Sequence, residues 1–279
     1  MPAATAAAAP APRRRGGPRG RLWTAPTPST VAPDDHRPPT LDDAVAGLYL
    51  AFAQARRRGP VEGCPCCVRR GDQATLGHTP RRTLTADQLG SFAFRAMSTW
   101  GDEDDYRHFL PRILELALTP EGARWPGMAA EHVCLDLAAA RWSTWTAPER
   151  AAVTRFFEAA WATALRSGPG VSTWSVDALP SGLPWAFDDV SPFLEQWERD
   201  TSLAATVHLA ATLHGMWWHA QLRPRSRSPA GVSVIRRWLV APARRDALAR
   251  AFEAHLDEPV AGELAEGIDA WGGVQPDRP

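Results

Sequence analysis

Cys64-Pro65-Cys66-Cys67 places three thiols within four residues. Thiolates are what soft metal ions such as zinc take from proteins, and the C-x-x-C spacing of Cys64 and Cys67 lets one turn offer two of them to a single ion. Cys66 adds a third. A structural zinc site needs four nitrogen or sulfur ligands, usually as two such pairs, and here the second pair is absent. His78 downstream is the first candidate to complete the set, with Cys134 or His132 as alternatives from another helix. Two other readings of these thiols stand beside the metal one. A helix N-terminus next to C-x-x-C lowers a thiol pKa for redox chemistry, which normally sits in a βαβ unit that this sequence lacks. Three reduced thiols packed in a loop need no chemistry at all.

The acidic run Asp102-Glu103-Asp104-Asp105, with His108 four residues after Asp104, offers groups for a hard metal or for acid–base work. Negative charge in a first helical turn is already explained by the helix dipole, and that reading is preferred. His208, His214 and His219 are spaced by six and five residues, so none of them forms the i, i+4 pair of helical zinc sites. No P-loop, dinucleotide-binding glycine fingerprint, G-x-S-x-G elbow or H-E-x-x-H motif is present, and no catalytic residue is assigned.

Thirteen tryptophans are many for 279 residues, and most sit on apolar stripes as core. Trp174 and Trp185, in a long aperiodic stretch, and Trp217, adjacent to Trp218 on a helix, cannot all face one core. They are candidate anchors for a protein partner. Arg223, Arg225 and Arg227, in a Pro/Ser-rich loop, are candidates for holding an anion or an acidic partner, with a plain solvated loop as the alternative.

These groups are positioned by helices. Thr40 caps a stripe of Leu41, Val45, Leu48, Tyr49 and Phe52 that is expected to end by Gly59-Pro60, followed by the cysteine segment as a loop. Thr85 and Gln88 form a capping box ahead of Leu89, Phe92, Ala93, Ala96, Met97 and Trp100, and Gly101 stops that helix. The next stripe, Tyr106 to Ala117, contains Pro111, which predicts a kink or a start near residue 109. Helices follow over about Gly127 to Trp142, from Thr146 to Leu165, and, beyond an aperiodic hinge or loop at 168–190, from Ser191, Thr201, Val232, Pro242 and Pro259. No segment alternates with period two. The expectation is an all-α fold of about ten helices in antiparallel pairs, either a HEAT-like solenoid or a compact bundle.

Residues 1–39, rich in Ala, Pro, Arg and Gly, are expected to be a disordered tail, 40–272 the helical domain, and 273–279 a frayed end. Thirty-one basic and 31 acidic residues balance, with pI about 7.1, so no overall field points to nucleic acid or membrane. All the basic residues are arginine. No run of about 20 apolar residues suggests a membrane span. Four cysteines clustered in this way do not form a secreted disulfide framework, which predicts a reducing, cytoplasmic setting.

The combination of Cys64-Pro-Cys-Cys67, the helix from Phe92 ending in Thr-Trp-Gly101, and Arg107-His-Phe-Leu-Pro-Arg112 resembles a family of hypothetical proteins from high-GC bacteria. It covers residues 60 to 118, about a fifth of the chain. The resemblance implies a family and carries no activity with it. The function expected is that of a protein-interaction or scaffold module. The alternative is a zinc-binding protein or metal-dependent enzyme using Cys64, Cys66 and Cys67 with His78, His108 or the acidic turn.

Overall fold

Four helices begin at capping boxes: Thr40 with Asp43, Thr85 with Gln88, Asp102 with Asp105 and Thr146 with Glu149. In the first three, the N-cap side chain accepts from the third amide of the helix, while the side chain of that third residue accepts from the N-cap amide; at the fourth, the Thr146 amide and hydroxyl both donate to the Glu149 carboxylate. The computed structural model describes residues 40–57, 59–168, 174–176, 179–220 and 230–273, except for the side chains of 179–181 and 216–220. Among these residues there are twelve α-helices and no strand. They are α1 (Leu41–Ala51), α2 (Arg70–His78), α3 (Ala86–Arg95), α4 (Glu103–Ala117), α5 (Ala130–Ala139) and α6 (Ala147–Arg166). The second half holds α7 (Leu179–Ala186), α8 (Ser191–Arg199), α9 (Leu203–Ala220), α10 (Ala230–Leu239), α11 (Pro242–Ala254) and α12 (Ala261–Gly273). Short 3-10 turns fill the connections at Arg81–Thr83, Gly122–Arg124, Pro126–Met128 and Trp142–Thr144.

The all-α expectation holds, and the packing order refines it. α1 lies against α6 and α4, α5 against α7, and α9 against α12 and α11. A stacked-repeat array packs each unit on the next in sequence. Among the described residues α1–α6, α5–α7 and α9–α12 pair across one or more intervening helices, while α11 and α12 pair as neighbours in sequence. The described residues fall into one contact unit.

Aromatic rings carry much of the core. Trp174 packs on Phe156 and Phe157, Phe187 joins Trp142, Phe157 and Phe193, and Trp161 meets Trp197 edge to face. Four buried indole N–H groups donate to carbonyls across elements: Trp142 to Ala186, Trp161 to Phe193, Trp174 to Met128 and Trp197 to Ala205. A buried indole left without an acceptor is costly, so these bonds fix how the helices register as well as how tightly they pack.

Several boundaries differ from those read in the sequence. α1 ends at Ala51, ahead of the Gly59-Pro60 limit. α2 occupies a stretch read as loop, because its one buried residue, Leu76, makes no apolar stripe. α7 likewise lies inside the aperiodic 168–190 stretch, of which residues 169–173, 177 and 178 lie outside the described residues. α3 stops at Arg95, five residues before Trp100, and α4 starts at Glu103 and runs through Pro111. Pro111 has no N–H, so the Arg107 carbonyl one turn earlier loses its helical partner while the other bonds of α4 carry on. Residues 1–39 and 274–279 lie outside the described residues.

Candidate metal centre

The cysteine loop is clamped from both sides. Before it, Val61 is buried, the Gly101 amide donates to the Glu62 carbonyl at 2.7 Å, and Gly63 pairs antiparallel with Trp100. The Cys64 amide donates to the Thr99 carbonyl at 2.8 Å. After it, Val68 is buried, Arg69 is the N-cap of α2, and the helix runs on from Arg70. Burying Val61 and Val68 supplies about 1.5–3 kcal/mol each, enough to seat a loop with little other apolar mass. Between these anchors the amides of Cys67 and Val68 both donate to the Cys64 carbonyl at 2.9 Å, folding the chain into one tight turn.

That turn brings three sulfurs together. Cys64 Sγ lies 2.8 Å from Cys66 Sγ, Cys66 Sγ lies 3.5 Å from Cys67 Sγ, and all three fall within 4.8 Å of one another. All four cysteines of the chain are free thiols. Zinc–sulfur bonds of about 2.3 Å in a tetrahedron place sulfurs about 3.8 Å apart, so small side-chain rotations would let these three surround one ion. Cys64 is half-buried, whereas Cys66 and Cys67 are exposed.

The loop favours deprotonation of one thiol over the others. The Cys66 thiol and the backbone amides of Cys66 and Cys67 donate toward Cys64 and hold its pKa below the usual thiol value. Cys66, hydrogen-bonded to Cys64 and Cys67, is pushed up to about 11. A metal held there would replace those protons, coupling its binding to proton release.

No histidine, cysteine, aspartate or glutamate among the described residues supplies a fourth ligand. His78 stands outside the group. It ends α2, and its Nδ1 bonds the Ala74 carbonyl of its own helix at 2.7 Å. Cys134 is buried in α5, with burial raising its thiol pKa, and His132 stacks on Phe94. In the acidic turn, Asp102 and Asp105 are occupied with each other's amides. His108 Nδ1 bonds the Ala55 carbonyl at 2.7 Å, and burial depresses its pKa. The dipole-and-cap reading of that turn is the one the geometry carries.

The partner candidates separate. Trp174 is buried at 2% exposure, so it is a core residue and not a surface anchor. Trp185 is exposed on α7. Arg223, Arg225 and Arg227, and the side chain of Trp217, lie outside the described residues.

The residues that seat the thiols, Glu62, Gly63, Thr99 and Trp100, went unrecognised in the sequence because they act through backbone atoms. Gly101 was the visible signal, although it reads as a helix stop. The three motif stretches nevertheless meet in space. Cys64 bonds Thr99, and the Phe92 ring packs on both Trp100 and Phe109, with centroids at 5.7 and 5.0 Å. No helix among the described residues is long and apolar enough to cross a membrane. Comparison with known protein families, curated proteins and solved structures finds no match for this chain.

Proposed function

We propose that this helical protein binds a soft metal ion, zinc, through Cys64, Cys66 and Cys67. The observation that carries this reading is the convergence of the three sulfurs within 4.8 Å on a loop fixed at both ends by the backbone. Thiolate donors suit zinc and copper(I) and disfavour magnesium or calcium. With three protein ligands and two exposed thiols, the fourth position would face outward, toward solvent or a ligand. The four free thiols fit a reducing, cytoplasmic setting. Chains that share the combined motif would share this loop, since the motif is what builds it. The test is elemental analysis of the purified protein beside a Cys64→Ser, Cys67→Ser variant. Near-stoichiometric zinc lost in the variant supports the site, while a metal-free wild type prepared under reducing conditions removes it.

A second reading, a protein-interaction module, is favoured by one surface. Phe94, Leu135 and Trp185 are exposed large side chains. Phe94 stacks on His132, which lies one turn from Leu135 on α5, and Leu135 lies one turn from Ala138, which shares a groove with Trp185. The result is an apolar strip across α3, α5 and α7 of the kind that anchors partners. A photo-crosslinking residue at position 185 should capture a specific partner that the same residue at position 199 does not. Equal capture at both positions would remove this reading.

A further inference from the structure

A groove of about 720 Å³ runs between the 57–63 segment and α2, next to the cysteine turn in the chain and independent of its metal. Arg70, Gln73, Gly77 and His78 line it from α2, and Arg57 and Glu62 from the facing segment. The α2 residues stand at i, i+3, i+7 and i+8, which is one face of the helix. A helix face turned toward another segment of its own chain is normally apolar. This one carries a guanidinium, an amide and an imidazole. Gly77 leaves room among them, since a Cβ there would meet nothing within 4 Å.

The charge around the groove is one-sided in a chain that is neutral overall. The described residues of 56–82 include Arg56, Arg57, Arg69, Arg70, Arg81 and Arg82 against Glu62 and Asp72. Arg81 is used inside the fold, bonding the Phe52 and His108 carbonyls, and Arg82 lies over the Tyr49 ring. Arg57 is fixed beside the groove by the Gly77 carbonyl at 3.0 Å and by the Phe109 ring. Its Nη1 is buried and has no hydrogen-bond partner among the described residues, so Arg57 serves the groove chiefly by its charge. Arg70 is exposed and pairs with no carboxylate among them. His78 spends Nδ1 on Ala74, which leaves Nε2 free. Guanidinium forks match the paired oxygens of phosphates and carboxylates, and the volume suits a small molecule.

We infer that this groove binds a small molecule through an oxyanion, a phosphate or a carboxylate, held by Arg57 and Arg70 with Gln73 and His78 beside them. Binding is measured by calorimetry at constant ionic strength, with inorganic phosphate and succinate as probes. Saturable binding of either is expected, weakened about tenfold or more by Arg70→Ala, because an anion would lose a charge-assisted bond. Gly77→Leu should block the groove without lowering thermal stability, since the new side chain enters open space. Cys64→Ser, Cys67→Ser should bind the probe as the wild type does, which separates this site from the metal reading. Three results would overturn the inference: no saturable binding of either probe, binding unchanged in both Arg70→Ala and Gly77→Leu, or a response only to a single-stranded oligonucleotide with steep salt dependence, which marks a general basic face.

Discussion

The amide of Cys64 donates to the carbonyl of Thr99 at 2.8 Å, so the thiol turn hangs on the segment that joins α3 to α4. That segment has an unusual backbone. Met97 and Gly101 both take positive φ, at 59° and 70°, and the Met97 amide closes back on the Trp100 carbonyl at 3.2 Å. The chain leaves α3, reverses within six residues, pairs with Gly63, and enters α4 at the Asp102 cap. The geometry of the thiols is thus set by residues that offer no ligand atom.

Gly101→Ala tests this dependence. A Cβ at Gly101 would stand 2.9 Å from the Phe92 ring and 3.0 Å from the Asp105 carboxylate, at a φ that disfavours side chains. The expected cost is about 1–3 kcal/mol of stability, read as a lower urea midpoint with an unchanged m-value. Zinc affinity should fall as well, although no thiol has been changed. A folded variant with wild-type zinc affinity would show that the turn holds its shape without the α3–α4 segment.

The thiols should react in a fixed order. Cys64 carries the lowered pKa and Cys66 is pushed up to about 11, so limited alkylation of the metal-free protein should label Cys64 before Cys66 as pH rises. Cys134 should stay unlabelled until the protein unfolds, because it is fully buried. Peptide mapping by mass spectrometry reads the order. Simultaneous labelling of Cys64 and Cys66 would mean that neither the Cys66 hydrogen bond nor the backbone amides favour one sulfur over the other, and zinc added first should protect both.

Asp136 makes stability depend on pH. Burial raises its carboxyl to about 7, and one of its oxygens has no hydrogen-bond partner. His132 Nε2 lies 3.5 Å away, but burial disfavours the charged imidazole as it disfavours the charged carboxylate, so the contact does not act as a strong ion pair. Tyr106, fully buried, is the other group that feels the Asp136 charge. In the unfolded chain the same carboxyl ionises near pH ~3.9. Between these two values the folded state binds more protons than the unfolded one, so stability falls as pH rises through that window and stays low above it. Three pH units correspond to about 4 kcal/mol as an upper figure. Asp136→Asn should flatten the slope between pH 4 and 7 and stabilise the protein at pH 8, both read from urea midpoints. A steep slope that survives in Asp136→Asn would assign the effect to another group.

The helices with strong apolar periodicity were legible in the sequence, as were their caps. Thr85 with Gln88 and Thr146 with Glu149 bond as their spacing predicts. What periodicity could not show is what tertiary contacts decide. Trp100 continues the α3 stripe by spacing, yet its backbone is drawn into pairing with Gly63, and the helix ends at Arg95. α2 buries only Leu76, so its face toward the groove gave no apolar signal to count. Trp174 looked like a loop residue available to a partner, and its loop folds it between Phe156 and Phe157. For the thiols, spacing told which sulfurs meet. It said nothing about Thr99 and Gly101, which reach the loop across 35 residues or more of chain through backbone groups that every residue possesses.

Arg107 and Glu149 join α4 to α6 in a pair that neither helix's own pattern announces. The guanidinium donates from Nε and Nη2 to the two carboxylate oxygens at 2.9 and 2.5 Å, and the Thr146 amide and hydroxyl donate to the same carboxylate. The Glu149 side chain is 3% exposed and that of Arg107 26%. Burial by itself raises the Glu149 pKa, but the Arg107 and Thr146 bonds outweigh it and hold the carboxyl below its usual range. The stabilisation from this pair is therefore fully present above the unfolded value near pH ~4.3 and is lost as pH falls through the lower folded value. Arg107→Met should cost about 2–4 kcal/mol at pH 7, somewhat under the range for a fully buried pair because Arg107 keeps a solvated edge. Below the folded value, where Glu149 is protonated in the wild type too, the same substitution should cost much less. Urea midpoints of wild type and variant at pH 7 and in acid decide it. An equal loss at both would mean that Arg107 acts mainly by packing over the Trp145 ring, 5.7 Å from its guanidinium carbon, and that the charge of Glu149 is stabilised by Thr146 alone.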